Sequence, residues 1–279
     1  MPEITAAAVK AFRERTGLPL MDCKQALTEA GGDEEKAVDI LRKRGEKLVD
    51  KRSDRETAFG RFGIHSGADK PSGAMVELKC ESAPVAQNTE FIQLANDMAQ
   101  ALAANPVTGS DSLLALKSPS KPTMTLGEQM AELFNRIREK FEVGRMVRFD
   151  GACGGYSHNS GTVAGVLVQI EGGNDVASKD VSMHIAAMRP AALSPEELDP
   201  AIVAGERKLL RDAALAEGKP ENIVDKMVEG RLRQFYAERV LLEQPFVKDD
   251  KQSVGEYAKS NGMKVLKFVH YVLGEQPAA

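Results

Sequence analysis

The sequence has no tryptophan, and aromatic residues make up only 5% of its 279 positions. Proteins that bind single-stranded nucleic acid by stacking bases need aromatic platforms, so this composition argues against that class. The three cysteines, Cys23, Cys80 and Cys153, are odd in number and far apart. Their spacing matches neither a disulfide framework nor a zinc cluster.

Long apolar runs are also missing. No uninterrupted apolar stretch approaches membrane-spanning length, and residues 1–12 contain no signal-peptide core. We therefore expect a reduced, cytoplasmic protein with no membrane contact. A net charge of −4 and a pI near 5.7 are a poor match for a nucleic-acid binder, which needs a positive field. The expected partner is a protein or a small molecule.

Residues 1–55 show the pattern of three short helices. Thr5 can cap the first, Pro19 opens the second, and Asp33 caps the third, which is expected to end before Gly45. Apolar residues at helical spacing should pack together: Val9, Phe12, Met21, Ala26, Leu27, Ala37, Val38, Ile40 and Leu41. The basic-rich stretch 42–55 is interpreted as a solvated helix end or linker, with a contact to RNA as the weaker alternative.

The periodicity changes after residue 58. Residues 60–81 predict two strands joined by a Gly/Pro/Ser turn, followed by one amphipathic helix over about 84–104. Residues 109–123 are rich in Ser and Pro and should be irregular, and 126–141 should be helical. Together these elements amount to one small α+β unit.

 

The same order of elements then recurs. Residues 151–172 predict a strand, a glycine-rich turn and a strand, and a helix follows over 180–190. Four pairs of apolar residues share a constant offset of 90: Val76 with Val166, Leu78 with Val168, Phe91 with Val181, and Met98 with Met188. Strands and helices recruit the same few residue types, so coincidence is the alternative. The constant offset favours an internal duplication.

The C-terminal third predicts mainly helices. Residues 195–216 and 220–242 are long, charged and apolar-periodic, which is typical of an antiparallel helical hairpin. A helix near 254–260 and an apolar strand over 263–275 follow, and the strand should join the second sheet. The hairpin leaves an amphipathic surface that could pair with a second copy of the chain, with the partner or with the core.

Motifs for covalent chemistry are missing. None of the four histidines lies at metal-ligand spacing from another His or Cys, and the sequence has no nucleophile elbow, phosphate-binding loop or dinucleotide fingerprint. The glycines of 151–161 fit a loop between strands better than a phosphate site. We therefore expect no catalytic residue, no cofactor and no metal.

Four stretches carry a family resemblance. Residues 16–45, TGLPLMDCKQALTEAGGDEEKAVDILRKRG, strongly resemble the opening signature of elongation factor Ts. Residues 218–254, which include KMVEGR and LLEQPFV, look like the C-terminal signature of that family. CESAPVAQNTEF and MHIAAMRP lie between them and are similar in character. The resemblance runs along essentially the whole chain and is looser over 107–148.

The resemblance implies an α+β fold with four parts. These are a three-helix module of ubiquitin-associated type over 1–55, a core subdomain N over 56–143, a core subdomain C over 144–195 and 243–279, and an inserted helical hairpin over 196–242. The two subdomains would be the duplicated α+β core with small antiparallel sheets.

The function that the resemblance implies is guanine-nucleotide exchange on elongation factor Tu during translation elongation. An exchange protein that prefers the nucleotide-free GTPase must weaken the binding of nucleotide to that GTPase. Nucleotide weakens the binding of the exchange protein by the same ratio. GTPases hold GDP through backbone amides and a magnesium ion, so disturbing these contacts suffices and no covalent step is needed. The partner would be elongation factor Tu, GDP-bound or nucleotide-free, in a complex compatible with a homodimer or a heterotetramer.

Family members contact the partner through a basic residue in the first helix and an apolar pair that opens the second. The matching residues are Arg13, Leu20 and Met21. Packing among the three helices is the alternative role for the apolar pair. His184 matches a family histidine on a partner-facing helix, and a purely structural histidine is its alternative.

A departure occurs where the family usually has Thr-Asp-Phe-Val, whose acidic and aromatic residues act near the magnesium ion of the partner. Ser82, Ala83, Pro84 and Val85 stand there instead, so both the carboxylate and the ring are missing. Ser82 and Pro84 also suit a helix start. Either the loop acts as a smaller, rigid wedge, or exchange depends more on the second subdomain.

Two other functions stay open at this point. A ubiquitin-associated-type adaptor would explain the three helices but not the duplicated core or the C-terminal signature. An enzyme with a site at the junction of the subdomains has no motif in its favour, although catalytic groups can converge from distant positions. Stimulated nucleotide release separates the exchange factor from both.

Overall fold

The computed structural model describes residues 4–50, 52, 54–218 and 220–275. Its fold is α+β with small antiparallel sheets, as the sequence predicts. Within these residues, 4–63, 76–146 and 273–275 form one compact unit, and 64–75 and 147–272 form another. No helix in the described part is both long and apolar enough to cross a membrane.

The N-terminal helices are α1 (Ala6–Thr16), α2 (Leu20–Glu29) and α3 (Glu34–Asp50), which confirms the predicted three-helix module. The Thr5 side chain accepts a hydrogen bond from the Ala8 amide, and Gly17 ends α1 in the left-handed conformation at φ 68°. A small core fills the space between the helices: Val9, Phe12, Cys23, Ala26, Leu27, Ala37 and Leu41.

Three details of this module differ from the prediction. The third helix does not end before Gly45 but continues through it to Asp50. This glycine allows a close approach instead, since a Cβ there would lie 1.9 Å from Asn135 Oδ1. Met21 and Val38 were expected in the core but are 60% and 43% exposed. Helical spacing shows that apolar residues share one face of a helix. It does not show that another element covers that face.

The next elements are β1 (Phe59–His65), β2 (Ser72–Cys80), α4 (Ala83–Ala86), α5 (Thr89–Ala104), α6 (Ser110–Leu114), α7 (Leu126–Ile137) and β3 (Phe141–Asp150). The three strands form a sheet of order β1-β2-β3. The helix α5 is buried along one face, where the Phe91 ring lies 5.3 Å from that of Phe141. This contact connects the start of α5 to the start of β3.

Three boundaries in this region were predicted wrongly. The single helix over 84–104 is two helices, because the Asn88 side chain caps α5 by accepting hydrogen bonds from the amides of Glu90 and Phe91. Residues 109–123 include the short helix α6. The helix over 126–141 ends at Ile137, and Phe141 already belongs to β3. Most of β3 is half-buried, whereas β2 is buried along almost its whole length.

The second unit contains β4 (Cys153–His158), β5 (Ala164–Gly172), α8 (Asp175–Met188), α9 (Pro200–Ala216), α10 (Glu221–Arg239), β6 (Pro245–Phe246), β7 (Asp249–Ser253), α11 (Val254–Ser260) and β8 (Met263–Val272). Strand β5 pairs antiparallel with both β4 and β8. The C-terminal strand therefore joins the second sheet, as predicted. The short β6–β7 hairpin was not predicted, since its residues are mostly polar and exposed.

The structure supports three of the four pairs in the proposed duplication. Val76, Leu78 and Phe91 are buried, as are their counterparts 90 positions later. Met98 is fully buried, but Met188 is 45% exposed at the end of α8. The last pair is therefore not equivalent in packing.

The helices α9 and α10 form the predicted antiparallel hairpin. Their contact is apolar at Ala214, Val224, Val228 and Leu232. Ion pairs flank it in antiparallel register, Arg207 with Glu229, Arg211 with Asp225, and Arg231 with Glu217.

Candidate partner-binding site

The three predicted contact residues of the N-terminal module lie around the connection between α1 and α2. Arg13 is exposed in the last turn of α1, and its carbonyl accepts the hydrogen bond from Gly17 that ends the helix. Leu20 and Met21 open α2 and are 49% and 60% exposed. They do not pack in the three-helix core, so this apolar pair is available to a partner.

The second predicted element is the turn at Ser82–Val85. Ser82 is the N-cap of α4, but its hydroxyl donates to Glu139 Oε1 at 2.7 Å instead of capping the helix. Ala83 and Pro84 are exposed, whereas Val85 is buried. Pro84 lies in the first turn of α4, where a missing amide costs no helical hydrogen bond. The turn thus exposes Ala83 and Pro84, while Ser82 and Val85 hold it in place.

The residues before this turn are held by charge-assisted hydrogen bonds. The carboxylate of Glu81 accepts from the Lys140 amide at 2.6 Å, from Arg52 at 3.0 Å and from Arg55 at 3.2 Å. Burial opposes ionisation of Glu81, but these donors outweigh it and lower the pKa of the carboxyl group. The C-terminal end of the basic stretch 42–55 is therefore attached to the start of the turn.

Cys80 precedes the same turn and is not a reactive group. Its thiol is fully buried and lies 3.3 Å from the Ser82 carbonyl oxygen, to which it donates. Burial raises the pKa of Cys80 to about 12, so the thiol stays protonated. No group of three or more His, Cys, Asp and Glu residues in the described part could hold a metal ion.

His184 lies inside the second unit, with no exposed surface. Its Nε2 lies 2.9 Å from Gln244 Oε1, and its Nδ1 accepts a hydrogen bond from the Val247 amide at 3.2 Å. Because Nδ1 accepts, the proton is on Nε2, which donates to Gln244. Burial lowers the pKa of His184, and the bond to Gln244 opposes this only in part. The histidine is therefore neutral and fixed in one tautomer.

The residues that His184 supports were missed by sequence reasoning. Val247 is 52% exposed at the turn between β6 and β7, and its amide is bound to His184. Gln244 is fully buried and also donates to the Glu238 carbonyl at 3.1 Å. The available signal was the stretch LLEQPFV, in which Glu and Gln stand between apolar residues.

A family model described as "Elongation factor TS" matches residues 81–275. This chain belongs to the elongation factor Ts family. It is 40% identical over 275 residues to the elongation factor Ts of Methylococcus capsulatus, and the alignment covers 98% of this chain and 92% of that protein.

Other members of the elongation factor Ts family are similar over their full length. The protein of Saccharopolyspora erythraea is 40% identical over 279 residues, covering 99% of this chain and 100% of the relative. That of Nitratidesulfovibrio vulgaris is 38% identical over 291 residues, covering 99% and 98%. These matches include the N-terminal module, which lies outside the residues that the family model matches.

A substitution of His184 tests its place in this elongation factor Ts fold. His184→Phe keeps a ring beside Phe246 but removes the hydrogen-bond partners of the Val247 amide and of Gln244 Oε1. We therefore expect it to lower the free energy of unfolding by about 2 kcal/mol at pH 8. Above pH 6.5 His184 is neutral in both states, whereas below it the unfolded chain binds a proton that the folded chain resists.

The wild-type stability from this group therefore decreases as the pH falls below 6.5, and the phenylalanine variant lacks that decrease. Urea unfolding at pH 8.0 and pH 5.5 should show a smaller difference between the two proteins at the lower pH. A difference that does not change with pH would contradict the neutral, buried assignment of His184.

Proposed function

We propose that the chain is a guanine-nucleotide exchange factor that promotes GDP release from elongation factor Tu in the cytoplasm, without covalent catalysis. Membership of the elongation factor Ts family supports this proposal. The structural observation that carries it is the exposed apolar pair Leu20–Met21, in the same compact unit as the exposed residues Ala83 and Pro84. Such a unit offers one anchoring contact and one projecting turn.

The proposed mechanism is thermodynamic coupling. The factor binds GDP-bound Tu, forms its best contacts with the nucleotide-free conformation and so weakens GDP binding. The apolar pair supplies affinity, and the turn at Ser82–Val85 disturbs the contacts of the GTPase to magnesium and phosphate. Arg13 adds a basic contact beside the apolar pair.

For the turn we propose the smaller, rigid wedge. Ala83 has no carboxylate and Pro84 has no ring that could enter a pocket, so the turn must act by its shape and position. The buried side chain of Val85 and the hydrogen bond from Ser82 to Glu139 keep that position constant. Proline limits backbone freedom in the same place.

For the second unit we propose an indirect role for His184. The buried ring fixes the β6–β7 turn, and the exposed Val247 of that turn makes the contact with the partner. His184 would then be a positioning residue and not a contact.

The test of the proposed function is the reciprocal effect on binding. The affinity of the chain for Tu should be roughly 5- to 150-fold higher without nucleotide than with saturating GDP, as titration calorimetry can measure. Equal affinity for both states would contradict exchange activity and favour the adaptor. Conversion of a small molecule with no binding to Tu would favour the enzyme.

The wedge is tested by two variants of the turn. Pro84→Gly should lower the maximal rate of GDP release several-fold, because it loosens the turn. Ala83→Asp with Pro84→Phe should not raise that rate with the cognate Tu. A large increase from the double substitution would mean that exchange is limited by a missing wedge and depends more on the second subdomain.

A further inference from the structure

The turn between α7 and β3 consists of three consecutive residues, Arg138, Glu139 and Lys140. Arg138 is in the left-handed conformation at φ 65°, and its amide donates to the Phe134 carbonyl at 2.7 Å. This ends α7 abruptly and turns the chain into β3 within three residues. Each of the three residues then binds a different neighbour.

Arg138 connects the turn to the N-terminal module. Its Nη2 atom donates to Asp22 Oδ2 at 2.5 Å, and the two side chains are 25% and 35% exposed. Asp22 directly follows Met21 in the first turn of α2. A second contact lies close by, since a Cβ at Gly17 would be 3.0 Å from Arg136 Cδ. The end of α7 therefore supports the connection that presents Leu20 and Met21.

Glu139 and Lys140 connect the same turn to the wedge. Glu139 Oε1 accepts the hydrogen bond from the Ser82 hydroxyl at 2.7 Å, and the Lys140 amide donates to Glu81 Oε1 at 2.6 Å. Glu81 and Ser82, the two residues bonded to this turn, stand immediately before Ala83. The two proposed contact elements, far apart in sequence, are thus joined through three adjacent residues.

We infer that the 138–140 turn fixes the wedge relative to the Leu20–Met21 anchor, and that Arg138 and Glu139 are positioning residues for nucleotide exchange. This inference rests on the proposed function. Once the anchor has docked, a rigid connection holds the wedge at its target, whereas a loose one lets it sample unproductive positions. A small displacement of an acting group can lower a rate strongly even when binding is retained.

The test separates anchoring from positioning by kinetics. With fluorescent GDP on Tu, Arg138→Met should lower the maximal release rate by about tenfold, with little change in the half-saturating concentration. Ser82→Ala, which removes the bond to Glu139, should act in the same way. Since a partly exposed ion pair adds little to stability, the urea midpoint of Arg138→Met should stay near that of the wild type.

Arg44→Met is the matched control, because Arg44 is bonded to Glu29 within the three-helix module and not to the 138–140 turn. It should leave both kinetic parameters unchanged. Asp22→Asn should reproduce the effect of Arg138→Met, and the double variant should show no further loss.

Two outcomes separate this inference from the function on which it rests. If the wild type accelerates release and Arg138→Met matches it, or if the two substitutions are additive, the inference is wrong and the function stands. If the wild type does not accelerate release, both are wrong.

Discussion

Replacing both Leu20 and Met21 with alanine should raise the concentration of the factor needed for half-maximal GDP release by about thirtyfold. Full burial of such side chains contributes about 1.5–3 kcal/mol each. About half of each is exposed in the free protein, so the pair has about 2 kcal/mol to gain on docking, which is about thirtyfold in affinity. The maximal rate should be retained, because the wedge is intact.

The control for this prediction is Val38→Ala in the same module. Val38 is 43% exposed on α3 and is not one of the proposed contact residues, so its truncation should leave half-saturation unchanged. If the Val38 variant weakens exchange and the Leu20–Met21 variant does not, the anchor has been assigned to the wrong face of the module.

The largest expected effect on stability is that of Gly63→Ala. A Cβ on Gly63 in β1 would lie 1.9 Å from the carbonyl oxygen of Ala95 in α5 and 2.3 Å from its carbon. Backbone atoms cannot yield as a flexible side chain can, so the strand and the helix must separate. We expect the free energy of unfolding to fall by about 3 kcal/mol or more, or the chain not to fold.

A glycine with free space provides the matched control. A Cβ on Gly205 in α9 would meet no atom within 4 Å, so Gly205→Ala should raise stability by about 0.5–1 kcal/mol through helix propensity. Urea unfolding of the two variants measures both effects. Equal effects would show that close approach of β1 to α5 does not explain Gly63.

The elements of this fold could be predicted where the pattern is local. Thr5 at the start of α1, the strands β1 and β2 and the C-terminal strand β8 all follow from caps and periodicity. Helix ends were less predictable, because tertiary contacts can override the local sequence signals that normally end a helix. Gly45 resembles a stop signal but serves close packing, and Arg138 ends a helix although it is not a glycine.

The candidate site was only partly predictable for a different reason. The family resemblance indicated Leu20, Met21 and the turn at Ser82–Val85 as candidate contacts, but the exposure of the apolar pair depends on what the other helices cover. The burial of His184 depends on Gln244 and Val247, about 60 residues away. The 138–140 turn forms hydrogen bonds with Asp22 and Ser82, which are far away in sequence. No local sequence pattern specifies such partners.

The most direct test of the account is the rate of fluorescent GDP release from the cognate elongation factor Tu, with excess unlabelled GDP, across a titration of the chain. We predict a rate that rises with the concentration of the chain and saturates, with a maximum well above the spontaneous rate. A rate that stays at the spontaneous value while the two proteins demonstrably form a complex would contradict it.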